Sequence, residues 1–165
     1  MIKFDCPFEA NMDRHDVWIA ECRKIGFLPK AKRYKEGTKS SEDAARQLGC
    51  EISNIAKSIV FVGKDSAIIV VTSGSNKVDR KKKLKRILGY KPSHASPEYV
   101  LDKTGYRIGG IPPFGHLEEC VIFCDEDLLK YDILWGAGGT FDTVFPISPE
   151  ELVKLSGAVI VDIKQ

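Results

Sequence analysis

The sequence predicts one α+β domain, a mixed and partly closed, β-barrel-like sheet with helices at its periphery. Three observations lead there. The chain has 165 residues, within the ~100–200 usual for a single domain and enough to bury roughly 70% of the surface its unfolded form exposes. Two apolar runs, Ser58-Ile59-Val60-Phe61-Val62 and Ala67-Ile68-Ile69-Val70-Val71, are joined by Gly63-Lys64-Asp65-Ser66 and read as a hairpin buried on both faces. Strands and helices then mix without the strict alternation of a parallel βαβ fold.

In chain order, 13–25 carries apolar residues at loosely helical spacing and stops at Gly26; 31–34 reads as a short polar strand and 36–38 as a turn. Residues 40–49 form a complete short helix, with an N-cap serine, acids in the first turn and glycine at the end. After the hairpin comes a basic helix, 80–88, with Leu84, Ile87 and Leu88 on one stripe. A connector, 92–97, leads to a helix over 97–103 ended near Gly105. The tract 104–115 is irregular, because its prolines lack N–H groups and its glycines allow positive φ. Strands at 119–124 and 133–135, a second glycine loop at 136–140, a helix at 149–155 and a last strand at 158–163 complete the reading.

Hydrophobic residues at 43% and charged residues at 29% place the chain outside the disordered and collagen-like classes. Its 25 Lys+Arg against 23 Asp+Glu leave a formal charge of +2, which excludes a globally basic nucleic-acid coat, so any electrostatic footprint is local. The longest uncharged runs, 66–76 and 108–117, fall short of the ~20 apolar residues that a membrane-spanning helix needs, so no membrane partner is expected. Lys3, Asp5, Glu9, Asp13 and Arg14 interrupt the start of the chain, which argues against a cleaved signal peptide. Cys6, Cys22, Cys50, Cys120 and Cys124 lack paired metal-ligand spacing. On a strand, residues four apart such as Cys120 and Cys124 stand about 13 Å from each other at ~3.3 Å per residue, too far for one metal. Reduced structural thiols, a cytoplasmic location and no metal or cofactor are the expectation.

Several features are open to a chemical or a structural reading. Exposed amides in the two glycine loops can form concave anion or carbonyl sites, or the glycines simply make tight turns; neither loop is a phosphate-binding Walker or dinucleotide motif. Lys57, at the mouth of the first hairpin strand, is a compact cation for phosphate or a developing oxyanion, or an edge lysine reaching water. Arg80, Lys81, Lys82, Lys83, Lys85 and Arg86 make a positive ridge for phosphates, or a solvated helix face. His116 follows the proline loop closely enough to line a pocket there, or lies at the surface. Asp142 orients a substrate group or caps a turn.

The order of these elements resembles the YbaK/ProX family of aminoacyl-tRNA deacylases, relatives of the editing domain inserted in bacterial prolyl-tRNA synthetases. The resemblance runs from about Tyr34 to the C-terminus through SEDAARQLG at 41–49, IAKSIVF at 55–61, Val78-Asp79, TGYRIGGIPPFG at 104–115 and GAGG at 136–139. It implies the editing-domain fold over 34–165, with residues 1–33 as an N-terminal helical arm of a single domain spanning 1–165. It implies an essential Lys57, set against the terminal adenosine phosphate or the aminoacyl carbonyl. It further implies an amino-acid pocket walled by Gly109, Gly110, Ile111, Pro112, Pro113, Phe114 and Gly115, and aminoacyl contacts from Gly136, Gly138 and Gly139. Water positioned with the help of a substrate ribose hydroxyl replaces a protein nucleophile. The implied activity is trans-editing hydrolysis of mischarged aminoacyl-tRNA, of the Cys- or Ala-tRNA(Pro) kind, with a synthetase as a further partner. The rivals are a non-catalytic tRNA-end or amino-acid binding module of the same fold, a synthetase accessory and a phosphate-ligand regulator.

Overall fold

The structure, a computed structural model, describes residues 12–38 and 40–165; Cys6 and the charged N-terminal positions before Met12 lie outside them. Eight strands form one mixed sheet: β1 (Lys32–Arg33), β2 (Ile55–Val62), β3 (Ala67–Ser73), β4 (Ser93–His94), β5 (Val121–Asp125), β6 (Leu134–Ala137), β7 (Thr143–Ile147) and β8 (Val159–Val161). Their order is β1-β7-β6-β2-β3-β5-β8, with β4 on the edge of β2. Five α-helices surround it: α1 (Arg14–Lys24), α2 (Ser41–Leu48), α3 (Lys85–Leu88), α4 (Pro97–Thr104) and α5 (Pro149–Ser156). The expected architecture is the observed one, with β4 arising inside the segment expected to be a connector. No helix among the described residues is long and apolar enough to cross a membrane.

The hairpin divides the core by its period-two alternation. Ala56, Val60, Ala67, Ile69, Val71 and Cys124 face the main cluster, while Phe61, Ile68, Val70 and Phe123 face a second cluster closed by Leu84 and Ile163. Burial of every residue of β3 explains its unbroken apolar run. Helix caps are local and legible. Ser40 Oγ accepts from the Asp43 amide at 3.0 Å, Ser96 Oγ from Tyr99 at 3.1 Å and Ser148 Oγ from Glu151 at 3.2 Å.

Two local readings change. Residues 80–88 are not one α-helix. A π-helical turn, Arg80–Leu84, precedes α3, and the Leu84 amide reaches the Asp79 carbonyl five residues back at 2.9 Å. This wider turn seats Leu84 fully in the second cluster while leaving most of the cations outside. The N-terminal helix, expected as an arm, belongs to the main core. Val17, Trp18 and Cys22 are fully buried, and Trp18 stacks within an aromatic group of Phe27, Phe114 and Phe145, its centroid 4.4 Å from that of Phe145. Its indole N–H donates to the Phe114 carbonyl at 3.0 Å.

Trp18→Ala should therefore cost about 3–5 kcal/mol, the range for emptying a buried aromatic site. Trp18→Phe should cost less but still leave the buried Phe114 carbonyl unpaired, about 1–3 kcal/mol. Urea unfolding of the two variants checks both; full stability in Trp18→Ala would show that α1 is dispensable to the core.

Candidate functional site

Strand β2 changes partners along one edge. It pairs with β6 at Ile55 and Ala56 and with β4 at Phe61 and Val62, so the edge from Lys57 to Val60 carries no strand. A cleft of about 560 Å³ opens there. The unpaired edge presents backbone donors and acceptors. The first turn of α2 and its N-cap Ser40, the Ile55–Ile59 segment of β2, Ile108, Gly109 and Ile111 of the proline loop, and Trp135, Gly136 and Ala137 of β6 line it.

Lys57 stands at this opening, half-buried, cross-strand from Thr72 and on the same sheet face as Ile59 and Phe61. Among the described residues it makes no hydrogen bond or ion pair. The buried carboxylate of Asp125, one strand beyond Thr72, is saturated by other donors: Thr72 Oγ1 at 2.9 Å, the Ser73 amide at 3.1 Å, Asn76 Nδ2 at 2.8 Å and the Asp127 amide at 2.9 Å. The first turn of α2 brings Glu42 and Asp43 into the same cleft, Asp43 tied to Arg46, and the Lys57 ammonium, in no ion pair among the described residues, is available to an incoming anion or oxyanion. Ser58 Oγ, in the same cleft, is buried without a hydrogen-bond partner.

The proline loop is a compact Ω-like excursion whose ends meet. The Leu117 amide bonds the Thr104 carbonyl at 2.9 Å, Tyr106 Oη donates to the Gly115 carbonyl at 2.7 Å, and His116 Nε2 bonds the Pro112 carbonyl at 2.7 Å. Its two halves face different ways. Gly109 and Ile111 reach the cleft, whereas Pro112, Pro113 and Phe114 are buried and do not line it; Phe114 fills the aromatic group around Trp18. Gly115 lies under α1, where an added Cβ would come 3.1 Å from Trp18.

The second glycine loop is also built for packing. A Cβ at Gly138 would stand 3.1 Å from His15 Nδ1, and one at Gly139, with φ +100°, 2.6 Å from the Arg14 carbonyl oxygen. The Gly138 amide donates to the Thr143 carbonyl at 3.1 Å and its own carbonyl accepts from His15 at 2.6 Å. These two glycines let α1 dock, and of the three loop glycines Gly136 lines this cleft, from within β6.

A second cleft, about 540 Å³, lies on the other side of the proline loop and contains Gly110, Gly139 and Asp142 together with Arg14, Arg33, Arg107 and Phe141. Ile108 lines both clefts. Asp142 accepts from Thr140 Oγ1 at 2.7 Å and pairs with Arg33 Nε at 3.4 Å, so it braces its own turn. The basic element packs by Leu84 onto the sheet face that carries Lys57. Arg80 is tied to the Pro92 carbonyl at 2.8 Å and Lys83 to Asp162 at 2.8 Å, while Lys81, Lys82, Lys85 and Arg86 are exposed. Sequence reasoning gave no site role to the first turn of α2 or to Arg107, although both lie inside tracts that carry the resemblance, and it missed Trp135, Arg14, Arg33 and Phe141, which belong to no spaced motif. Among the described residues no group of three or more His, Cys, Asp or Glu side chains is placed to hold a metal ion.

The aminoacyl-tRNA editing domain family matches residues 35–155. YwhH of Bacillus subtilis, whose name states no activity, is 33% identical over 124 residues, 74% of this chain and 78% of its own. EbsC of Enterococcus faecalis, described as a candidate Cys-tRNA(Pro)/Cys-tRNA(Cys) deacylase, is 25% identical over 146 residues, 88% of this chain and 89% of its own. The proline–tRNA ligase of Thermosipho melanesiensis is 36% identical over 138 residues, 82% of this chain but 24% of the ligase. The crystal structure of a candidate trans-editing enzyme for prolyl tRNA synthetase superposes with a TM-score of 0.88 at 36% identity, covering 94% of this chain and 99% of the other.

Titration of the loop is testable. Burial pushes His116 down to about 4, against the bond to the Pro112 carbonyl, which favours the charged ring. The neutral ring must then carry its proton on Nε2 to donate to that carbonyl. Unfolded His116 binds a proton below about pH 6.5, whereas the folded ring resists it. Its contribution is therefore complete above pH 6.5 and is lost as pH falls toward 4, on the order of 3 kcal/mol in all. Asp127, held well below the usual carboxylate range by Lys164, Asn76 and Lys130, loses its contribution only at lower pH, below about 3.8. Urea unfolding across pH 6.5 to 4 should show the slope, and His116→Gln should flatten it.

Proposed function

The chain belongs to the aminoacyl-tRNA editing domain family, and on that premise we propose that it is a hydrolase that removes the amino acid from mischarged tRNA. The observation that carries the reading is Lys57, half-buried and unpartnered at the gap in the β2 edge. The aminoacyl ester lies in the first cleft with its carbonyl toward the Lys57 ammonium. Water, held with the help of the neighbouring ribose hydroxyl, adds to the carbonyl carbon; the carbonyl electron pair moves onto oxygen, and Lys57 with the free β2 edge stabilises that oxyanion. Collapse expels the ribose oxygen, which takes one proton of the attacking water; the amino acid leaves as its carboxylate and the second water proton passes to solvent. Positioning and preorganised charge suffice for an already activated ester.

Ile55, Ala56, Ile111, Trp135 and Ala137 give the first cleft an apolar part, which would receive the side chain of the amino acid. The name of EbsC supports Cys-tRNA(Pro) as a substrate and the match to proline–tRNA ligases supports the tRNA(Pro) side of it; Ala-tRNA(Pro) is what the family resemblance adds. Apolar pockets separate such side chains by only ~1–3 kcal/mol per methylene, so the preference is one of degree. The exposed cations Lys81, Lys82, Lys85 and Arg86 contact the tRNA body on the same sheet face.

Lys57→Ala should lower deacylation of Cys- or Ala-tRNA(Pro) by about 10²–10³ or more with circular dichroism and melting unchanged; retained activity removes Lys57 from the mechanism. Replacing Lys81, Lys82, Lys85 and Arg86 by Glu should weaken tRNA binding and flatten its salt dependence. Unaltered binding would make the ridge a solvated surface.

A further inference from the structure

We propose that the second cleft receives the single-stranded 3′ end of the RNA whose terminal ester occupies the first, with Phe141 stacking on a base and Arg14 and Arg107 meeting phosphates. The assignment rests on the hydrolase reading above for its direction, since an ester on a terminal ribose leaves a phosphodiester chain that must exit the first cleft. The second cleft adjoins it there: Ile108 lines both, Gly109 the first and Gly110 the second.

Charge in this cleft is unevenly compensated. Arg33 is held by Asp13 at 3.2 Å and by Asp142 at 3.4 Å, which accounts for both acids. Arg107 is exposed and, among the described residues, its guanidinium makes no hydrogen bond or ion pair. Arg14 Nη1 is buried with no hydrogen-bond partner. A buried guanidinium nitrogen left unpaired is costly, and planar forked donors match phosphate oxygens.

Phe141 supplies the second element of single-strand recognition. Phe141 is 54% exposed, which leaves it open to stacking, and its backbone is held in place. Its carbonyl accepts from the Thr38 amide at 2.6 Å and from Thr38 Oγ1 at 3.0 Å. The neighbouring Asp142 carbonyl accepts from the Tyr34 amide at 2.8 Å. Beneath the ring, a Cβ at Gly37 would come within 3.1 Å. A fixed aromatic face that shares a cleft with Arg14 and Arg107 is the pattern that binds single strands without reading their sequence. It is separate from the basic element, whose lysines and arginine sit over the hairpin.

Fluorescence anisotropy with a 5′-labelled CCA trinucleotide, paired with steady-state hydrolysis of aminoacyl-tRNA and of aminoacyl-adenosine, tests this in the full chain. Phe141→Ala should weaken the trinucleotide about 5- to 100-fold, and Arg107→Ala should also reduce its salt slope by roughly 0.7. Both should raise KM for aminoacyl-tRNA, with the loss confined to that substrate. Unchanged trinucleotide affinity, an equal loss on aminoacyl-adenosine, or displacement of the trinucleotide by an equal concentration of inorganic phosphate would each overturn the assignment. If the wild-type chain hydrolyses neither ester yet trinucleotide binding depends on Phe141 and Arg107, the hydrolase reading fails and the cleft assignment stands.

Discussion

A methyl group at Gly110 would stand 2.7 Å from the Cα of Thr140, so the two irregular loops meet backbone against backbone and neither shifts without the other. Helix α1 closes the same junction from outside, through the Arg14 carbonyl over Gly139 and the Trp18 ring over Gly115. Smallness at these positions is spent on approach between chain segments. The result is a loop held at a fixed height beside the open edge of β2, with Gly109 turned to one cleft and Gly110 to the other. Without that contact there is no wall between the clefts and no constant distance from the loop to Lys57.

The electrostatics follow the same economy. Carboxylates near the sheet are saturated within the fold: Asp125 by β3 and Asn76, Asp127 by Lys164 and Lys130, Asp142 by Thr140 and Arg33. At the clefts Arg33 is matched by Asp13 and Asp142, whereas Lys57 and Arg107 make no ion pair among the described residues. A chain of formal charge +2 thus presents unpaired positive groups at a few places, on the β2 edge, on the exposed side of the basic element and in the second cleft. Local excess of this kind attracts phosphate at chosen points while limiting indiscriminate attraction to nucleic acid.

The hairpin, the capped helices and the irregular proline loop were legible because their causes are local: β-branched alternation, a serine before acids, and prolines that cannot enter a ladder. Residues 80–88 misled because the helical stripe is real, yet the turn at its start is decided by the Leu84 amide reaching Asp79 and by Arg80 and Lys83 finding Pro92 and Asp162. Helix α1 misled in another way. Its spacing shows a helix, but the partners of Trp18 lie near positions 114 and 145, and nothing in the neighbouring residues points to them.

The sequence by itself determined the element types, a near-neutral charge with one basic segment, and a family resemblance carried by a lysine strand and two glycine loops. Only the tertiary structure decided which glycines face a cleft and which face α1, that Phe114 belongs to the core, and that Arg14, Arg33, Arg107 and Phe141 share a concave surface. The division has a physical reason. Backbone propensity and capping act over a few residues, whereas a cleft is made by side chains and loop backbones brought together across the sheet, where β2 parts from β6 before it meets β4.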